Sequence, residues 1–129
     1  MNEDKNKQIN LIIEQAIATL DDSKFLIDNK KYKIAVNRLY YCIFYILSAL
    51  AIKYDFKTSK HNQLIGWVNK NFINENLIKK EFGKFIHRIF DLRNKADYDF
   101  YTMFNEDQLR QIYKDVKEFV EEVIKFINK

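Results

Sequence analysis

Leu39-Tyr-Tyr-Cys-Ile-Phe-Tyr-Ile-Leu-Ser-Ala-Leu-Ala-Ile52 is a run of 14 residues with no charge, bracketed by Arg38 and Lys53. It holds no Pro and no Gly, and it is longer than a usual strand of about five or six residues. A helix that crosses a bilayer needs about 20 apolar residues, so the run is too short for that. A helix apolar almost all round is a helix buried among other helices. The rest of the chain is therefore expected to pack around it.

Composition agrees. The 129 residues contain Pro 0 and Gly 2, too few for the many tight turns of a sheet sandwich. The length suits one domain with a real core, and no linker, repeat or low-complexity tract divides residues 1–129. With Tyr 8 and Phe 11 that core is bulky. The fold class read from these features is all-α, a single up-and-down bundle of about five helices. The formal net charge of +4 is mildly basic, which permits a polyanionic partner without requiring one. Met1 to Gln8 runs straight into an amphipathic helix with no signal or stop-transfer pattern, so the expected location is the cytoplasm, away from membranes. The single Cys42 lies inside the apolar run and reads as a small core residue.

Taken in order, the first helix is expected from about Lys5 to Asn29, with Ile9, Ile12, Ile13, Ala16 and Leu20 on one stripe. Asp21-Asp22-Ser23 is its weakest point, a place for a kink or break. Asn29-Lys30-Lys31 makes a turn, with Asn suited to the left-handed conformation. The second helix runs from about Tyr32 to Tyr54 and forms an antiparallel hairpin with the first. Thr58 or Ser59 caps a third helix from about Lys60 to Phe72. Asn74-Glu75 opens a fourth, to about Asn94, with Ile78, Phe82, Phe85, Ile86 and Ile89 inward. Lys95 to Phe104 is an unusually aromatic connection. Asn105-Glu-Asp-Gln108 is a capping box that starts the fifth helix, which ends near Asn128.

Much chemistry is absent from the sequence. His61 and His87 fall on different expected helices and no Cys pair exists, so no metal site is expected. There is no Gly-rich phosphate loop and no nucleophile elbow, and no cofactor is expected. One cluster stands out: Asp91-Leu-Arg93-Asn94-Lys95-Ala96-Asp97-Tyr98. It gathers Arg, Asn, Lys, Asp and Tyr at a helix end, a set able to bind a phosphate and relay a proton. The plain alternative is an Arg–Asp pair that pins the loop to the helix.

Three segments carry a family resemblance over nearly the whole chain. They are Ala35-Val-Asn-Arg38-Leu-Tyr40-Tyr41-Cys-Ile-Phe44, then Lys57-Thr-Ser-Lys60-His61-Asn-Gln-Leu64, then Leu92-Arg93-Asn94-Lys95-Ala96-Asp97-Tyr98. In order and spacing the chain resembles the HEPN superfamily, most of all its compact stand-alone prokaryotic proteins. The resemblance implies a bundle of four to five helices that forms homodimers. It also implies RNA or nucleotide binding in a toxin–antitoxin or defence module, beside a nucleotidyltransferase antitoxin partner. Catalytic members are metal-independent endoribonucleases whose motif is Arg, a polar residue and a His, with four to six residues between the Arg and the His. Arg stabilises the phosphate charge and His handles the ribose 2′-hydroxyl proton.

Arg93 and Asn94 match that motif, but the His position falls between Tyr98 and Phe100 and no His stands there. Tyrosine, with an ordinary pKa near 10, is a poor base at neutral pH. An antiparallel arrangement of the third and fourth helices offers a substitute, bringing His61 and Lys60 to the side of Arg93, Asp97 and Tyr98. There His61 would be the base and Asp97 its orienting partner, with Arg93, Lys60, Asn94 and Lys95 toward phosphate. Arg38, Tyr40 and Tyr41 are read as structural, with Arg38 paired to a carboxylate of the first helix. A rival function is a non-catalytic interaction module that docks its partner through the aromatic loop 98–104. The first hairpin is also similar to a tetratricopeptide unit, but no second repeat follows.

Overall fold

The apolar run becomes the C-terminal part of α2 (Tyr32–Lys53), and the other helices lie against this helix. The computed structural model describes residues 3–98 and 104–129. Around α2 stand α1 (Glu3–Asp28), α3 (His61–Val68), α4 (Lys80–Tyr98) and α5 (Glu106–Ile127), with no strand among the described residues. α1 and α2 form the expected antiparallel hairpin, α5 packs on both, and α3 and α4 pack on α2. The domain is an all-α bundle.

α2 buries Ala35, Val36, Leu39, Tyr40, Cys42, Ile43, Phe44, Ile46, Leu47, Ala49, Leu50 and Ala51. With its flanking turns it reaches 22 residues, long and apolar enough to cross a bilayer, yet 67% of its apolar window is buried inside the protein. Burial against neighbouring helices, rather than length, identifies it as a core helix. Cys42 donates its Sγ–H to the Ala16 carbonyl at 3.2 Å, and burial pushes the thiol up to about 12. It is a packed core residue without thiolate character.

Several local expectations change. α1 is unbroken through Asp21-Asp22-Ser23, because Ser23 is buried and turns its hydroxyl onto the Leu20 carbonyl at 2.6 Å. In the first turn Lys30, not Asn29, takes the left-handed conformation, with φ 60°. Asn29 instead donates its amide to the Phe25 carbonyl at 2.8 Å. α3 starts behind Lys60 with no side-chain cap. Thr58 Oγ1 accepts from the Lys60 N–H at 3.1 Å and donates to Gln63 at 2.7 Å.

α3 then widens into a π-helical turn, Asn69–Ile73, closed by the Asn74 N–H on the Asn69 carbonyl at 2.8 Å. The Phe72 carbonyl takes both the Leu77 and Ile78 N–H groups, and Asn76 reverses the chain at φ 59°. Those bonds occupy the backbone through Ile78, so α4 begins at Lys80 rather than Glu75. Gly83 faces the π turn, where a Cβ would meet Ile73 Cδ1 at 3.4 Å in ordinary contact. At its other end α4 continues to Tyr98, so Lys95 to Asp97 are helical rather than part of the connection.

α5 opens on the expected Asn105 cap, whose Oδ1 accepts from the N–H groups of Asp107 and Gln108 at 2.8 and 3.2 Å, while no return bond from the Gln108 side chain is formed among the described residues. One polar chain ties three helix ends together. Tyr32 donates to Glu106 at 2.9 Å, Glu106 pairs with Arg110, and Arg110 pairs with Asp28 at 2.9 Å. At the opposite end, Lys53 Nζ donates to the carbonyls of Ile127 and Lys129.

Candidate functional site

Tyr40 is the hinge of the site. It sits on α2 with 3% of its surface exposed, one helical turn before Phe44, and the two rings meet edge to face at 4.8 Å. A buried tyrosine needs a partner for its hydroxyl. Tyr40 finds it in His61, the first residue of α3, with the hydroxyl 2.8 Å from Nδ1. The imidazole also lies against the Phe44 ring, centroids 3.5 Å apart. Tyr40 and Phe44 together fix its position.

From the other side comes α4. The Arg93 guanidinium carbon sits 4.7 Å from the Tyr40 ring centroid, a cation–π distance. Arg93 Nε is 3.2 Å from Asp97 Oδ2, one turn further along the helix. That pair lacks hydrogen-bond geometry, for Arg93 Nε is buried and has no hydrogen-bond partner. Proximity gives Coulomb attraction, but the buried donor stays unsatisfied, and such groups in native structures call for an explanation.

The electrostatics follow from this packing. Burial, and then the nearby Arg93 charge, lower the His61 pKa from its ordinary 6.5. The imidazole is therefore neutral at pH 7, the form a base requires. Burial raises the Tyr40 pKa, although Arg93 pulls it down, and Tyr41 and Asp97 add to the rise. Tyr40 keeps its proton. If the tyrosine donates to Nδ1, the imidazole proton is on Nε2; if Nδ1–H donates to the phenol oxygen, Nε2 carries a lone pair.

The structure thus brings His61 and Arg93 together across Tyr40, where the sequence placed the start of the third helix near the end of the fourth. Asp97 pairs with Arg93 instead of orienting His61, and Tyr40 holds the position expected of Asp97. Asn94 and Lys95 follow Arg93 within α4, and neighbours one and two places on do not share a helix face. Lys95 is exposed and Asn94 half-buried. Lys60 is exposed beside His61 at the mouth of α3. The Tyr98 side chain and residues 99–103 of the aromatic loop lie outside the described residues. Arg38 donates to Asn37 Oδ1 at 2.8 Å and lies over the Tyr41 ring at 5.2 Å, rather than reaching a carboxylate on α1.

Tyr40 is the site residue that sequence reasoning set aside as structural. The usable signal was its polar handle within an almost uncharged apolar run, four residues from a phenylalanine. Among the described residues no three His, Cys, Asp or Glu side chains are grouped to hold a metal ion.

Comparison with known proteins agrees with the fold. The HEPN domain model matches residues 9–127. A Thermotoga maritima protein named "UPF0332 protein" is 35% identical over 98% of this chain and 96% of its own. A Methanocaldococcus jannaschii protein named "Putative toxin MJ0605" is 33% identical over 97% of this chain and 92% of its own. A second "UPF0332 protein", from Archaeoglobus fulgidus, is 27% identical over 95% and 97%. With bundle, signature segments and family match in accord, the chain belongs to the HEPN domain family.

Proposed function

We propose that this chain is a toxin-type HEPN protein that binds RNA at the Tyr40–His61–Arg93 cluster and cuts it without a metal ion. The observation that carries the reading is the meeting of a neutral imidazole and a guanidinium on one buried phenol. In this reading the Arg93 guanidinium takes a phosphate oxygen. Exposed Lys60 adds charge at the rim.

His61 acts from Nε2, so its Nδ1–H donates to the Tyr40 oxygen. The imidazole accepts the ribose 2′-hydroxyl proton as the 2′-oxygen attacks phosphorus. The P–O5′ bond breaks, and the departing 5′-oxygen takes a proton from the imidazolium. The products are a 2′,3′-cyclic phosphate and a 5′-hydroxyl, with His61 returned to its neutral form. Tyr40 is a positioning residue here.

The name carried by the Methanocaldococcus relative supports the toxin setting; the nucleotidyltransferase antitoxin as counterpart and the cytoplasmic location are carried into this reading from the family resemblance alone. Pairing with a second copy is supported by the outer faces of the first hairpin, where Leu11, Phe25 and Ile34 are 57%, 66% and 54% exposed.

The test is incubation of the purified full chain with single-stranded RNA in excess chelator. Cyclic-phosphate ends are expected from the wild type, with a loss of about 10²–10⁴-fold in His61→Ala and a comparable loss in Arg93→Ala. Undiminished cleavage in both folded variants refutes the assignment.

A further inference from the structure

Next to the cluster, between α3 and α4, lies a pocket of about 280 Å³ lined by Asn62, Ile65, Gly66, Asn69, His87 and Phe90. It is joined to the site in two ways. Asn62 directly follows His61 on α3, and Phe90 packs against Tyr40 with ring centroids 6.0 Å apart. The lining combines an apolar wall, two aromatic rings and two side-chain amides. No hydrogen bond among the described residues occupies the side chains of Asn62, Asn69 or His87.

Two backbone features border the pocket. Gly66 stands in the middle of α3, where a Cβ would meet nothing within 4 Å. Glycine inside a helix is unfavourable relative to alanine, so its presence at an open wall calls for a reason. Asn69 is also the first residue of the π-helical turn, and such turns in helices frequently mark functional sites.

We propose that this pocket receives one nucleobase of the RNA whose phosphate Arg93 holds; the inference rests on the function proposed above. The size is just under the range of about 300 Å³ where drug-sized ligands begin, and it fits one ring system. Unpaired bases in RNA are recognised by stacking on Phe, Tyr, Trp or His and by hydrogen bonds along their edges. Phe90 and His87 supply rings, and the Asn62 and Asn69 amides each offer donors and an acceptor. The pocket makes the protein selective for the base beside the scissile phosphate.

The experiment compares binding of a short single-stranded RNA with that of an abasic ribose-phosphate chain of the same length. The proteins are wild type, Gly66→Leu and Arg93→Ala, each checked for helical content and thermal midpoint. Wild type is expected to prefer RNA by roughly tenfold, within the range of a single base stack. Gly66→Leu fills the pocket from a good helix former and should erase that preference while leaving abasic binding intact. Arg93→Ala should weaken both ligands. Equal binding of the two ligands by wild type, or a preference that survives Gly66→Leu, overturns the pocket and leaves the phosphate site standing. Failure of both ligands to bind, or indifference of both to Arg93→Ala, overturns the phosphate site and the pocket with it.

Discussion

Replacing Tyr40 with phenylalanine removes one atom from the centre of the cluster. The ring remains, so its contacts with Phe44 and Phe90 and the Arg93 guanidinium above it persist, and no cavity opens. What disappears is the 2.8 Å bond to His61 Nδ1. A neutral hydrogen bond contributes about 0.5–1.5 kcal/mol net. His61 is only half-buried, so water can replace part of the loss and the effect belongs near the lower end, about 0.5–1 kcal/mol. With a urea m-value of about 1–3 kcal/mol per molar, the unfolding midpoint should fall by about 0.2–1 M at unchanged slope. Tyr40→Ala, which also empties a packed site, should cost about 3–5 kcal/mol. Nitrogen-15 NMR of the imidazole supplies the second readout, because a ring held by Tyr40 through Nδ1 should lose its tautomer preference in Tyr40→Phe. An unchanged midpoint together with an unchanged imidazole spectrum would refute the claim that Tyr40 positions His61.

Further outcomes follow from other parts of the molecule. Because burial and Arg93 depress the His61 pKa, the unfolded chain protonates first as pH falls. The contribution to stability is whole above about pH 6.5 and declines below it until the folded-state pKa is passed. Urea midpoints at about pH 7.5 and 5.5 should therefore fall more in wild type than in His61→Gln. Asn105→Ala, which frees the N–H groups of Asp107 and Gln108, should destabilise by about 1 kcal/mol in chemical denaturation. Lys30→Gly relieves a left-handed residue at φ 60° and should raise stability by about 0.5–1 kcal/mol in the same assay.

The bundle was legible in the sequence because its cause is local and repeated. A long uncharged run, helical apolar stripes and a near absence of Gly and Pro allow few other solutions. Helix ends were less legible. α4 begins five residues later than Asn74-Glu75 suggested, since the Phe72 carbonyl captures Leu77 and Ile78, an arrangement that depends on the π turn before it. The meeting of His61 with Arg93 followed from hairpin topology, but its geometry did not. Spacing places Asp97 beside Arg93 equally well in a loop or a helix, and only the continued helix makes them partners one turn apart. Tyr40 reads as structural in the sequence because a tyrosine in a core helix looks like filler until its hydroxyl is seen to have a partner on another element.

The account stands on Arg93 meeting an RNA phosphate in solution. The direct measurement is the salt dependence of RNA affinity for wild type and Arg93→Ala, both confirmed folded. Losing one phosphate contact to single-stranded RNA should reduce the slope of log K against log salt by about 0.7 and weaken binding at every salt concentration. An Arg93→Ala protein with the same affinity and the same slope as wild type would contradict the account.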